Sequence, residues 1–197
     1  MATRTSPRSL LARPLAVALL ASLAGTAWAS SGNNAITEAD VLAAQQAWGD
    51  ALVQISKDYE AGGIDKARTT ARNVIDAAYG FNLGPVLFKP TLTVAPQTFR
   101  TTAEGALAYF VGHDDTFPDD TGFALKGWRS VEVENAALFI HGDTAMSMGN
   151  VSITDAAGNV TTVDKTWGFA RDEQGDLRIV LHHSSLPFTP GAAIAGH

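Results

Sequence analysis

No cysteine occurs anywhere in the 197 residues. Disulfide scaffolds, thiolate nucleophiles, CxxC zinc sites and iron–sulfur ligation are thereby excluded. Charge is sparse, at 17% of residues, and positive charge sparser still, with 14 Lys and Arg against 20 Asp and Glu. The formal net charge of −6 comes without a basic run, so nucleic acid and anionic membrane surfaces lack the clustered cations they require. Glycine-rich phosphate loops and the nucleophile patterns GxSxG, SxxK and HExxH are missing as well. No apolar run reaches the roughly 20 residues that a bilayer demands. What the chain does have is 46% hydrophobic residues, enough to bury a core, in a length that suits one domain.

The first residues read as a targeting segment. Arg4, Arg8 and Arg13 stand without an acidic neighbour, Pro14 to Ala24 (PLAVALLASLA) is apolar, and Ala27-Trp28-Ala29 supplies a small-x-small cleavage pattern. Residues 1–29 are therefore expected to be a cleaved signal peptide. A linker over 30–35, a folded domain over 36–188 and a flexible tail over 189–197 follow, the tail being rich in Gly, Ala and Pro. No cysteine is present to carry a lipid, so the mature chain is expected to be exported and free of the membrane. Its compartment is then the periplasm, or the medium if the host has no outer membrane.

Helical signals come first along the mature chain. Thr37-Glu38-Ala39-Asp40 has the spacing of a capping box. Val41, Trp48, Leu52, Ile55 and Tyr59 then form one apolar stripe on a helix ending near Gly62-Gly63, and Ile64, Ala67, Ala71, Ile75 and Ala78 repeat it on a second helix stopped by Gly80. Pro85–Ala95 is extended, with Pro90 confining it to an edge or a bend. Thr101 and Glu104 cap a short third helix carrying Leu107, Phe110 and Val111, and His113–Gly122 is an acidic loop. From Trp128 onward the signals are all strand: four runs separated by turns at His141–Asp143, Asp155–Asn159 and Glu173–Asp176, which make an antiparallel meander. Helices followed by strands indicate an α+β domain.

The last strand ends Leu181-His182-His183-Ser184-Ser185. Alternation puts His182 and Ser184 on one face and His183 and Ser185 on the other. Each face then pairs an imidazole with a hydroxyl, an arrangement suited either to proton transfer and small-ligand binding or to tying off a strand end. Adjacent histidines on a strand point apart, and a zinc ion wants three converging side chains, so a metal site is not expected. His113, Asp114 and Asp115 could gather a cation loosely or simply be solvated. Asp164 and Lys165 point to opposite faces, as a surface pair or a pocket rim. Trp128, Trp167, Phe169, Phe139 and Tyr109 either line a pocket or fill the core.

Five segments occur in a telling order: Val86-Leu87-Phe88-Lys89-Pro90-Thr91, Ala106-Leu107-Ala108-Tyr109-Phe110-Val111-Gly112, Gly122-Phe123-Ala124-Leu125, Met148-Gly149-Asn150 and His182-His183-Ser184-Ser185-Leu186-Pro187-Phe188. Together they resemble the iota-class carbonic anhydrases, a class built on the calcium/calmodulin-kinase-II association domain of the NTF2-like superfamily. The resemblance spans about residues 36–188. It implies a cone of N-terminal helices packed on a curved antiparallel sheet, reversible hydration of CO2 to bicarbonate and a proton, and a homodimer. Carried over by motif, the site residues are Thr91, Tyr109, His182 and Ser184, with Thr91, Tyr109 and Ser184 binding substrate. His183 and Ser185 would support them from the opposite face. The class includes metal-free members and others using zinc or manganese; with no three converging ligands, the expectation is no cofactor. Two other readings carry different chemistry. One is a non-catalytic NTF2-like module for small-ligand binding or oligomerisation. The other is an isomerase or cyclase with Asp164 as its base.

Overall fold

The computed structural model describes Met1 and residues 35–190. The expected signal peptide, and the tail from 191 onward, lie outside the described residues. The elements are a helix α1 (Glu38–Ala78), a strand β1 (Leu87–Lys89), a helix α2 (Ala103–Val111), a 3-10 turn (Phe123–Leu125), and strands β2 (Trp128–His141), β3 (Thr144–Asp155), β4 (Val160–Arg171) and β5 (Leu177–Ser185).

The Thr37 hydroxyl accepts from Asp40 N–H while the Asp40 carboxylate accepts from Thr37 N–H, which closes the expected capping box. The two expected helices follow each other as α1, broken only at Gly63, whose φ of 70° and ψ of −164° leave the helical region. Asp58 fastens the two halves, accepting from Thr70 at 2.7 Å and pairing with Lys66 at 2.9 Å. The stripe residues Val41, Trp48, Leu52, Ile55, Ala67, Ala71 and Ile75 are all buried, on the sheet side of the helix. The cap of α2 sits one residue later than expected. Thr102, rather than Thr101, accepts the N-terminal amide, from Gly105 at 3.1 Å.

The sheet runs β1-β5-β4-β3-β2, with every pair antiparallel except β1 with β5. The expected meander is present, and the three-residue β1 makes the sheet mixed. Register shifts at Trp128/Ser130, Asn135/Ala137 and Gly168/Phe169 mark bulges, which bend strands and curl a sheet over its helices. At the middle bulge, Gln45 of α1 exchanges amide hydrogen bonds with Asn135, at 2.7 and 2.9 Å, and donates to Ser147 at 2.9 Å. This satisfies a side chain that is only 2% exposed. Gly149 faces that bulge, and a Cβ there would lie 2.0 Å from the Glu134 carbonyl oxygen. Trp128, Trp167 and Phe169 fill the core, whereas Phe139 is 59% exposed on the outer face of the sheet.

The acidic loop is not merely solvated. Asp120 turns inward and takes a bidentate pair from Arg100 Nη2, both bonds 2.9 Å, with both side chains almost fully buried. The Arg100 guanidinium also lies 4.6 Å above the Phe117 ring.

Candidate active site

Parallel pairing of β1 with β5 sets Phe88 opposite His182 and Lys89 opposite His183. Pro90 then ends the ladder, having no N–H to continue it, and Thr91 is left beside the end of β5. Its Oγ1 donates to Ser184 Oγ at 2.8 Å, and Lys89 Nζ donates to the Ser184 carbonyl at 3.3 Å. α2 brings in Tyr109, whose hydroxyl lies against the Thr91 side chain and the backbone of Thr91 and Leu92. Thr91, Tyr109, His182 and Ser184 thus wall a single small cavity of about 10 Å³, completed by Trp48, Phe88, Phe110, Phe123, Ile153 and Val163. All four carried-over residues meet there.

His182 is held on every side. Its ring stacks on Phe88 with centroids 4.4 Å apart and meets the edge of Trp48 at 5.4 Å. Trp48 Nε1 donates to Tyr79 Oη at 3.1 Å, and that oxygen lies 2.7 Å from His182 Nδ1. An indole N–H can only donate, so the phenol oxygen accepts it while also sharing a hydrogen bond with Nδ1. On the other side of the ring, Nε2 is in hydrogen-bonding contact with Lys165 Nζ. Both ring nitrogens of His182 are therefore engaged.

Lys165 belongs to this site rather than to the surface. It is 4% exposed, and Nζ lies 4.5 Å over the Trp48 ring and 5.2 Å over that of Trp167. Its place follows from alternation along β4, where Val163, Lys165 and Trp167 share the inward face, and from a register that sets Lys165 opposite Ser184 and Trp167 opposite His182. An inward lysine between two core residues was the signal available in the sequence. Tyr79 offered none, because it follows the end of α1 and its backbone meets β5 as an isolated bridge to Ile179.

Burial drives each ionisable group of the cavity toward its neutral form. It holds the Lys165 amine well below the usual lysine range. His182 lies well below the usual imidazole value, through burial first and then the neighbouring charges of Lys165 and His183. The phenols of Tyr79 and Tyr109 are pushed up, again by burial, which outweighs the hydrogen bonds they receive. A largely apolar chamber with hydroxyls at one wall suits a small neutral substrate on which negative charge will grow.

Other candidate residues lie elsewhere. His183 and Ser185 open onto the outer face of the sheet, on a groove shared with Asn150, Asp164 and Thr166. Asp164 is exposed there and accepts from Asn150 at 3.0 Å. That placement removes it as the base of an isomerase in this cavity. His113 bonds the Val111 carbonyl at 3.0 Å, and Asp114 accepts from Thr116 N–H at 2.9 Å in the same loop. Among the described residues, no group of three His, Asp or Glu is placed to hold a metal ion, and no helix is long and apolar enough to cross a membrane.

The family model for metal-independent carbonic anhydrase matches residues 39–186. A metal-independent carbonic anhydrase of Nostoc sp. (strain PCC 7120) is 64% identical over 156 residues, 79% of this chain and 76% of that one. Among solved structures, a cyanobacterial iota-carbonic anhydrase complexed with bicarbonate superposes with a TM-score of 0.79 at 63% identity, covering 80% of this chain and 96% of that chain. A calcium/calmodulin-dependent protein kinase II association domain from Xanthomonas campestris gives a TM-score of 0.49 at 20% identity, over 77% of this chain and 87% of that one. A match that takes in the β1 edge, α2 and the whole of β4 and β5 takes in every wall of the cavity, and the chain belongs to the metal-independent carbonic anhydrase family.

Proposed function

We propose that CO2 hydration takes place in the cavity walled by Thr91, Tyr109, His182 and Ser184, and that bicarbonate is the ligand it releases. The observation that carries this reading is the convergence of hydroxyls far apart in sequence, with Thr91 donating to Ser184 at 2.8 Å. Because Ser184 Oγ accepts that bond, its own proton is available to a substrate oxygen. Tyr109 buttresses Thr91, and His182, gripped by Tyr79 and Lys165, keeps the wall in place. A zinc ion would lower the pKa of water from 15.7 to about 7. In a metal-independent enzyme that help is absent, so positioning and donors aimed at the growing anion must lower the barrier.

The direct experiment is stopped-flow CO2 hydration by the mature protein after exhaustive chelation, with residual metal quantified in the same sample. Full activity at substoichiometric metal is the expected result. Activity that returns only with zinc or manganese would overturn the metal-free reading. Absence of activity under both conditions would favour the binding-module alternative.

A second copy of the chain is proposed to cover the outer face of the sheet. Phe139, Met146, Gly168, Leu181 and Leu87 stand opposite one another in register across all five strands. Phe139, Met146 and Leu87 are 59%, 45% and 61% exposed, with Met148 at 61% beside them. Such a continuous apolar row suits a self-complementary two-fold contact. Sedimentation should show a dimer that Met146→Glu converts to monomer, and a monomeric unsubstituted protein would refute the contact. Export to the periplasm with cleavage after Ala29 is proposed on the sequence pattern alone, and mass spectrometry of the mature N-terminus, expected at Ser30, tests it.

A further inference from the structure

Among the described residues, Lys165 is the one Lys, Arg, Asp or Glu lining the cavity, and the proposed hydration step uses it only to hold His182. Among the described residues, no carboxylate pairs with it. From β5 it faces His182, from α1 the ring of Trp48, and from its own strand the ring of Trp167. Tyr109 of α2 shares the cavity wall, and Tyr79 reaches it only through His182. His183 is felt electrostatically from the outer face, where Asp164 also points. A buried ammonium with no anion beside it is costly. A neutral amine avoids that cost, and the contact with His182 can accommodate one. In the tautomer whose Nδ1 accepts from Tyr79, the ring hydrogen sits on Nε2 and Nζ accepts it as a neutral amine.

We propose that Lys165 is the proton-coupled charge partner of the anion, taking up one proton as bicarbonate forms or enters. In hydration the water oxygen bonds to carbon and one water proton goes to the Nζ lone pair, giving bicarbonate and an ammonium together. The ammonium then turns from Nε2–H to an anion oxygen, and Nε2–H becomes a second donor to the same anion. Departure of bicarbonate and loss of the proton to solvent restore the neutral pair. The cavity thus holds a neutral substrate against a neutral amine, or an anion against a cation, and never a lone charge. This inference rests on the assignment of the cavity to CO2 hydration.

Isothermal titration calorimetry with inorganic nitrate, a planar monoanion that does not turn over, tests it on the mature protein. Heats measured in HEPES and in Tris at about pH 8, between the ordinary histidine and lysine values, give the protons exchanged on binding. Uptake of about one proton per nitrate is expected, with affinity falling as pH rises because binding and protonation are linked. Lys165→Met should abolish the uptake and weaken nitrate by about 10- to 100-fold, the size of one lost charge-assisted hydrogen bond. Nitrate bound without proton uptake by the unsubstituted protein overturns the proposal, and that result needs no variant to fold. Uptake that persists in Lys165→Met overturns it too, since the proton then resides on His182. Failure of nitrate to bind, in a protein whose hydration Ser184→Ala abolishes, removes Lys165 as charge partner and leaves the cavity standing. Full hydration by Ser184→Ala removes the cavity assignment itself.

Discussion

Ser184→Ala is expected to lower kcat for CO2 hydration by about 100- to 1,000-fold, the loss seen when one donor to a developing oxyanion is removed. The side chain is 3% exposed and its oxygen already accepts from Thr91 at 2.8 Å, so its proton has a fixed direction rather than a choice of rotamers. Alanine deletes that donor and leaves Thr91 without its acceptor. Thr91→Val and Tyr109→Phe act one and two steps further along the same line of hydroxyls and should also reduce the rate sharply. The control is Ser185→Ala, one residue further along β5 but on the outer face, which should leave hydration unchanged. Stopped-flow kinetics on folded variants decide the matter. Near-normal rates in all three inward variants would sink the site assignment, and a comparable loss in Ser185→Ala would point to a general disturbance of the strand.

The largest loss of stability is expected from Asp120→Ala, at about 3–5 kcal/mol. Arg100 is 2% exposed and gives Asp120 two bonds of 2.9 Å and a third, from Nε, of 3.2 Å. Removing the carboxylate strands a guanidinium that cannot deprotonate and that has no route to water. Burial raises the Asp120 carboxyl above its ordinary value, against the pull of Arg100, so desolvation offsets much of the attraction. For that reason the double variant Arg100→Met with Asp120→Leu should cost less than Asp120→Ala alone. Urea unfolding of the three proteins provides the comparison. A double variant as unstable as the single one would mean that the loop needs the ion pair itself, not simply the absence of a lone charge.

Much of the fold could be read from residue periodicity because its elements are long and their punctuation is local. The three turns between β2 and β5, the break at Gly63 and the capping box at Thr37 all fell where glycine placement and apolar spacing put them. The site was legible in part for the same reason: alternation alone joined His182 to Ser184. The link from that pair to Thr91 depended on β1, a three-residue strand pairing in parallel across more than ninety positions of sequence, and no local signal encodes such a pairing. For Lys165 the sequence left a surface pair and a pocket rim both open. Its alternation was clear, but choosing the inward face meant setting the burial of Val163 and Trp167 against the cost of a buried amine, and the apolar neighbours won. The shift from Thr101 to Thr102 at the start of α2 is smaller still, a choice between adjacent threonines with the same hydroxyl.

The short β1 strand also decides how the sheet may meet other chains. Its outer side is largely spent: the Phe88 carbonyl accepts from Arg100 N–H at 2.9 Å, and Pro90 supplies no amide at all. The opposite edge, β2, is bulged at two places and carries Glu132 and Glu134 on its exposed face. Bulges and inward-turned or charged edges are what keep unpaired strands from recruiting one another into fibrils. A protein whose reactive motif lies on β5, next to one of these margins, therefore keeps that motif on an interior strand, sheltered from end-to-end growth.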